Sequence, residues 1–119
     1  MIIIIILILL DQITKYFLAT TINYGAAFGI LQGYTTLLIL ISLIVLIICS
    51  YYYFTYKEKN IKLALTFLIS GIIGNLIDRV FLGYVRDFID LRIWPVFNLA
   101  DSFNVIGVAL LIYMNFKKK

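Results

Sequence analysis

Four long apolar runs, each close to the length that crosses a bilayer as a helix, follow one another in this chain with only short polar connections between them. They cover about 1–19, 35–54, 63–82 and 97–116, which leaves connections of about 20–34, 57–62 and 83–96. With 64% hydrophobic residues, 13% charged residues and a mean hydropathy of +1.08, 119 residues carry too little polar surface for a soluble monomer. The expectation is an integral membrane protein, mainly α, built as one domain over 1–119: a four-transmembrane-helix bundle. The first run has no basic residue before it and contains Asp11 and Lys15, so it reads as a span and not as a cleavable leader.

Between the first two runs, Gly25, Gly29 and Gly33 mark a turn-rich or short-strand segment near the interface. Tyr51, Tyr52, Tyr53 and Tyr56 cluster where the second run should reach a headgroup region. Lys57, Lys59 and Lys62 fall on the same side as Lys117, Lys118 and Lys119. The positive-inside rule then puts both termini and the 57–62 loop in the cytoplasm, with the 20–34 and 83–96 loops outside. The net charge of +4 follows from that topology and does not imply a nucleic-acid partner.

Residue chemistry narrows the function further. Histidine is absent, which excludes a Ser-His-Asp triad, a Cys-His pair and a His-based zinc site. The single cysteine, Cys49, lies in an apolar run and reads as a small buried hydrophobe. Any hydrolysis must therefore use carboxylates. Five of the six acids are aspartates, and all fall at the outer end or outer half of the expected bundle.

Asp11 and Lys15 are spaced i, i+4 and can pair on one helix face, which lowers the cost of burying both. Asn75, Asp78 and Arg79 share one arc of the third run. Asp78 would lie near a helix C-terminus, where an anion needs donors, with Arg79 or loop backbone as the candidates. Asn98 followed by Asp101 resembles a helix-capping pair after Pro95. Asp87 and Asp90 lie three residues apart in the same loop, and spacing alone does not choose between them.

The order of these blocks does choose. Asp11-x-x-x-Lys15, Asn23-x-Gly25-Ala26-Ala27-Phe28, Gly74-Asn75-Leu76-Ile77-Asp78-Arg79, Val85-Arg86-Asp87-Phe88 and Phe97-Asn98-Leu99-Ala100-Asp101 together resemble the lipoprotein signal peptidases, or signal peptidase II, over nearly the whole chain. The resemblance implies a bacterial aspartic endopeptidase of the cytoplasmic membrane. It would cut diacylglyceryl-modified prolipoproteins just before the lipidated cysteine. The implied fold is four membrane helices with a small extracytoplasmic sheet.

By the same resemblance, Asp87 and Asp101 would be the catalytic pair. Asn23, Gly25, Asn75, Asp78, Arg79 and Asn98 would bind substrate or support the pair, and Asp11 with Lys15 would brace the site. The enzyme would need no cofactor and no metal, would take lipid-modified prolipoproteins and membrane lipids as partners, and would act as a monomer. Two departures from the family pattern are a shorter stretch between Asp87 and Asp101 and an N-terminus that begins almost directly in the first apolar run. Another class also fits the hydropathy: a small four-span proton-coupled transporter using Asp11, Asp78 and Asp101.

Overall fold

The computed structural model describes residues 1–26 and 30–117. The expectations placed on Gly29, Lys118 and Lys119 and on Ala27-Phe28 lie outside the described residues. Four helices carry the fold: α1 Ile2–Leu18, α2 Thr35–Thr55, α3 Lys59–Leu82 and α4 Leu99–Lys117. Two three-residue strands, β1 Thr21–Asn23 and β2 Val85–Asp87, join the α1–α2 and α3–α4 connections.

Three of the helices, α2, α3 and α4, are long and apolar enough to cross a membrane. The expectation of four such helices is met for three. The first helix has 17 residues, a rise of roughly 26 Å against a hydrocarbon core of about 30 Å. It also starts one residue in and stops at Leu18, because Ala19 leaves helical geometry with ψ 126° and the chain turns into β1.

α3 begins four residues earlier than hydropathy indicates. Helical hydrogen bonding does not require apolar side chains, so Lys59, Asn60 and Lys62 form its polar first turn, and the 57–62 connection shrinks accordingly. α4 begins two residues later than expected, directly after Asn98.

α3 is the axis of the bundle and packs against each of the other three helices, most extensively against α4. Its buried residues include Ala64, Leu65, Ile69, Ser70, Gly74, Asn75 and Asp78, so its buried face runs from apolar to polar along its length. The apolar half gathers Ile4, Cys49, Leu65 and Ile69 into one cluster. By contrast α2 fully buries only Leu38 and Cys49, packs Leu46 and Tyr53 partly against the core, and presents most of its other apolar side chains outward, as a lipid-facing helix does. Lipid is as apolar as these side chains, so close van der Waals packing has to hold the helices together.

Close packing is visible where α4 crosses α3. A Cβ on Gly107 would come 2.6 Å from Leu68 Cγ and 2.8 Å from the Ala64 carbonyl oxygen. Only glycine permits that approach.

β1 and β2 pair antiparallel with Thr21 opposite Asp87 and Asn23 opposite Val85. The ladder is extended by Thr20, whose N–H donates to the Asp87 carbonyl at 3.0 Å. Beyond β2 the chain loops out and returns, with Ile89 and Phe97 exchanging backbone bonds of 2.8 and 3.1 Å. This closure delivers Asn98 and the start of α4 next to Asp87.

Gly107→Ala is expected to push α4 off α3 and lower stability by about 1–3 kcal/mol. Thermal unfolding in detergent would measure this; an unchanged melting temperature would show that the contact is not limiting.

Candidate active site

The polar half of the bundle is organised around Lys15, which is fully buried. Its ammonium lies 2.7 Å from Asp11 Oδ2 and 3.4 Å from Asp78 Oδ2. It also donates to the Gly74 carbonyl at 3.2 Å and to Asn75 Oδ1 at 3.1 Å. Asp11 and Asp78 are each 0% exposed, and a bare charge so placed would be prohibitive without partners. Asp11 spends its other oxygen on the N–H of Ala100, at 2.9 Å, in the first turn of α4. There the carboxylate satisfies an otherwise unpaired helix donor and meets the positive end of the helix dipole. Gly74 makes the junction possible, since a Cβ there would stand 2.5 Å from Asp11 Oδ2.

Asp78 receives its donors from β2. Arg86 donates through its backbone N–H at 3.0 Å and through Nε and Nη2 at 3.2 and 2.9 Å. Gln12 adds a bond of 3.2 Å to Asp78 and accepts one of 2.8 Å from Arg86. The expected alternative donor, Arg79, points elsewhere: its Nη2 donates to the Gly25 carbonyl at 3.4 Å. Its backbone position one residue after Asp78 carries its side chain around the helix toward the 23–33 loop.

Neither Gln12 nor Arg86 was singled out as a site residue by sequence. A glutamine inside an apolar run was the available signal for Gln12. For Arg86 there was only its place beside Asp87, which strand alternation sends to the opposite face.

Asn98 connects two further carboxylates, Asp87 and Asp101. Its Nδ2 donates to Asp87 Oδ1 at 2.8 Å, to Asn75 Oδ1 at 3.0 Å and to the Arg86 carbonyl at 3.2 Å. Its backbone N–H donates to Asp101 Oδ2 at 3.1 Å, while its Oδ1 accepts from the Asp101 N–H at 2.9 Å. The capping pair read from sequence is therefore present, and the same two residues border Asp87. Asn75 completes the link by donating from Nδ2 to Asp101 Oδ1 at 3.0 Å.

Asp87 is 2% exposed. Burial first, and then the neighbouring Asp101 carboxylate, raise its pKa from 3.8 to about 7, against the opposing pull of Asn98, Lys15 and Asn23. Asp90, the other loop candidate, is exposed and accepts from the Arg92 N–H at 2.9 Å. That bond steadies Arg92, whose φ of 67° is left-handed. Asp90 thus shapes a turn.

Asn23 ends β1 and folds the following loop on itself. Its Oδ1 accepts from the Gly25 N–H at 2.8 Å and from Gln32 at 2.9 Å, and its Nδ2 donates to the Ala26 carbonyl at 3.1 Å. Asn23 and Asp101 both line an open cleft of about 510 Å³ whose other walls are largely apolar, among them Trp94, Phe97, Val105 and Ile106. No group of His, Cys, Asp and Glu among the described residues is arranged to hold a metal ion. Asp11 and Asp78, which a proton-coupled transporter would use, are committed to Lys15 and Arg86.

Comparison with known proteins bears on this arrangement. The family model for signal peptidase (SPase) II matches residues 17–117. The lipoprotein signal peptidase of Halothermothrix orenii is 44% identical over 93% of this chain and 90% of its own length. That of Moorella thermoacetica is 38% identical over 87% of this chain and 83% of its own. Two solved structures described as bacterial membrane enzymes superpose closely. One has a TM-score of 0.90 at 34% identity, covering 98% of this chain and 86% of that one; the other has a TM-score of 0.85 at 32% identity, covering 99% and 92%.

Lys15→Ala would leave Asp11 and Asp78 buried with too little positive charge, and is expected to cost about 3–5 kcal/mol of stability. Purified yield and thermal unfolding in detergent measure it. A variant as stable as the unmutated chain would contradict the bracing role.

Proposed function

The chain belongs to the signal peptidase II family, aspartic peptidases that cleave lipoprotein signal peptides, and from that premise we propose that Asp87 and Asp101 are its catalytic pair. The observation that carries the reading is the shared residue between them: Asn98 bonds Asp87 through its side chain at 2.8 Å and Asp101 through its backbone at 3.1 Å. Charge balance supports it as well. Asp11, Asp78, Asp87 and Asp101 face Lys15, Arg79 and Arg86 within one polar cluster. Four carboxylates against three cations close to neutrality when the pair holds one proton, and a neutral cluster is the least costly one to bury.

In that state the ionised carboxylate takes a proton from water as the water oxygen attacks the scissile carbonyl carbon. The protonated partner stabilises the developing oxyanion and gives up its proton as the tetrahedral intermediate forms. Breakage of the C–N bond returns a proton to the leaving amine, giving a free signal-peptide carboxylate and a new N-terminal amine. The bond cut is the one just N-terminal to the diacylglyceryl-modified cysteine of a prolipoprotein. Apolar walls on the cleft suit the acyl chains, whose binding can position the peptide at the pair. Asn75 and Asn98 orient the carboxylates, Arg79 tethers the loop carrying Asn23 and Gly25, and Asp11, Lys15 and Asp78 brace the cluster.

The setting follows from the same reading. α1 acts as a fourth span that completes the bundle. Lys57, Lys59, Lys62 and Lys117 lie at the end opposite the sheet, which supports cytoplasmic termini and an active site toward the outer face of the bacterial cytoplasmic membrane. All the catalytic groups come from one chain, which suits a monomer with prolipoproteins and surrounding lipid as its partners.

Asp87→Asn and Asp101→Asn should each yield folded, membrane-inserted protein that fails to release signal peptide from a diacylglyceryl-modified prolipoprotein. Asp90→Asn should retain most of the activity. Turnover by either dyad variant, or its loss in Asp90→Asn, would overturn the assignment.

The pH dependence has a definite sign. The pKa of Asp87 in the folded chain, about 7, lies above its ordinary value of 3.8, so folding favours the protonated group. Its ionisation penalty is absent below pH 3.8, grows up to about 7 and is constant above that. Asp87→Asn should therefore melt higher than the unmutated chain at pH 8, with the gap shrinking toward pH 4. Cleavage by the unmutated chain should fall as pH rises past about 7, when the pair loses its proton. A rate that keeps rising to pH 9 would exclude a shared proton.

A further inference from the structure

The cleft that reaches Asp101 contains a second polar group that the chemistry above leaves unused. Asn104 follows Asp101 by three residues on α4, so it lies on the same side of the helix, about 4.5 Å further along the axis. It lines the cleft together with Asp101 and Asn23. Its Oδ1 is buried without a hydrogen-bond partner, the one side-chain oxygen or nitrogen in that condition among the described residues. That oxygen is packed against Gly71 of α3, where a Cβ would collide with it. Its polar neighbours are engaged: Ser102 Oγ donates to the Asn98 carbonyl at 3.3 Å, and Asp101 is held by Asn75 and Asn98. An unpaired buried amide costs stability that a leucine of similar shape would not. Its presence makes physical sense when a ligand completes it.

We propose that Asn104 is a substrate-binding residue whose carboxamide oxygen accepts a hydrogen bond from a main-chain N–H of the signal peptide, on the membrane side of the scissile bond. This rests on the peptidase reading above. A peptide extended across an aspartate pair for hydrolysis has left the helical conformation at the cut. Its carbonyls and N–H groups then enter an apolar cleft without partners of their own, and each must find one there. On the α4 wall beyond Asp101 the neighbours Val105 and Ile106 cannot supply it.

Because Oδ1 has no partner, no bond through that oxygen holds the amide in one orientation, and it can turn from Gly71 to meet an N–H in the cleft. An ester carbonyl of the diacylglyceryl group could meet only the NH2 end of the amide. The main chain is the better match, because one helical turn from Asp101 corresponds to only one or two residues of extended peptide, at about 3.3 Å each.

The test uses the full chain purified in lipid-supplemented detergent and two diacylglyceryl-modified peptides, one with ester-linked and one with ether-linked chains. Asn104→Leu should raise the melting temperature by a few degrees yet lower kcat/KM about tenfold on both substrates. Asn104→Ala, which cannot obstruct the cleft, should show a similar loss of kcat/KM. Wild-type kcat/KM in Asn104→Ala would overturn the proposal. So would a melting temperature that falls in Asn104→Leu, since the residue would then be structural. A loss confined to the ester-linked substrate would transfer the contact to the glyceryl group and overturn the main-chain assignment. If the unmutated chain cuts neither substrate, the peptidase reading fails and this inference falls with it.

Discussion

The contact between Lys15 and Asp11, 2.7 Å long and fully buried, is the constraint on which the rest of the structure depends. In a bundle this apolar, a lone ion on α1 would be expelled, so the lysine has to collect acceptors from whatever packs beside it. It takes Asp78, Gly74 and Asn75 from α3, and its partner Asp11 takes the first turn of α4. Three helices are thereby fixed in register by one set of charges. Lipid offers little hydrophobic drive between helices, and such a set supplies specificity that apolar packing alone would leave loose.

Arg86 extends the same network to the sheet. By bonding Asp78 through backbone and side chain, it anchors β2 to the end of α3, and Asp87 is the next residue. Asn98 then performs two tasks that sequence presents as alternatives: it caps α4 and it contacts both members of the carboxylate pair. A helix cap is rigid because its geometry is set by the first turn. Bonding both Asp87 and Asp101 to the capping residue is thus a way to position two carboxylates in a small protein with few residues to spare for support.

Much of this was legible in the residues themselves. The apolar runs located α2, α3 and α4, the i, i+4 spacing anticipated the Asp11–Lys15 pair, and the Asn98–Asp101 spacing anticipated the cap. Hydropathy misplaced the start of α3, because a polar first turn is helical without being apolar, and of the four helices it indicates, α1 with 17 residues is shorter than the three that are long and apolar enough to cross. The pairing of Asp87 with Asp101 was not legible from spacing. It depends on the return of the 88–98 loop through Ile89 and Phe97, a tertiary closure, and ordered motif blocks supplied it by resemblance. The roles of Gln12 and Arg86 escape sequence reading for the same reason: each acts through partners on another element, which residue type alone does not name.

The central claim is that Asp87 and Asp101 share one proton. Infrared difference spectroscopy of the purified, substrate-free protein across pH 4–9 tests it at the carboxyl groups themselves. A shared proton requires one protonated-carboxyl band that disappears near pH 7 in the unmutated chain and is missing at pH 6 in Asp87→Asn. A chain in which every buried carboxyl is already ionised at pH 6 would contradict it.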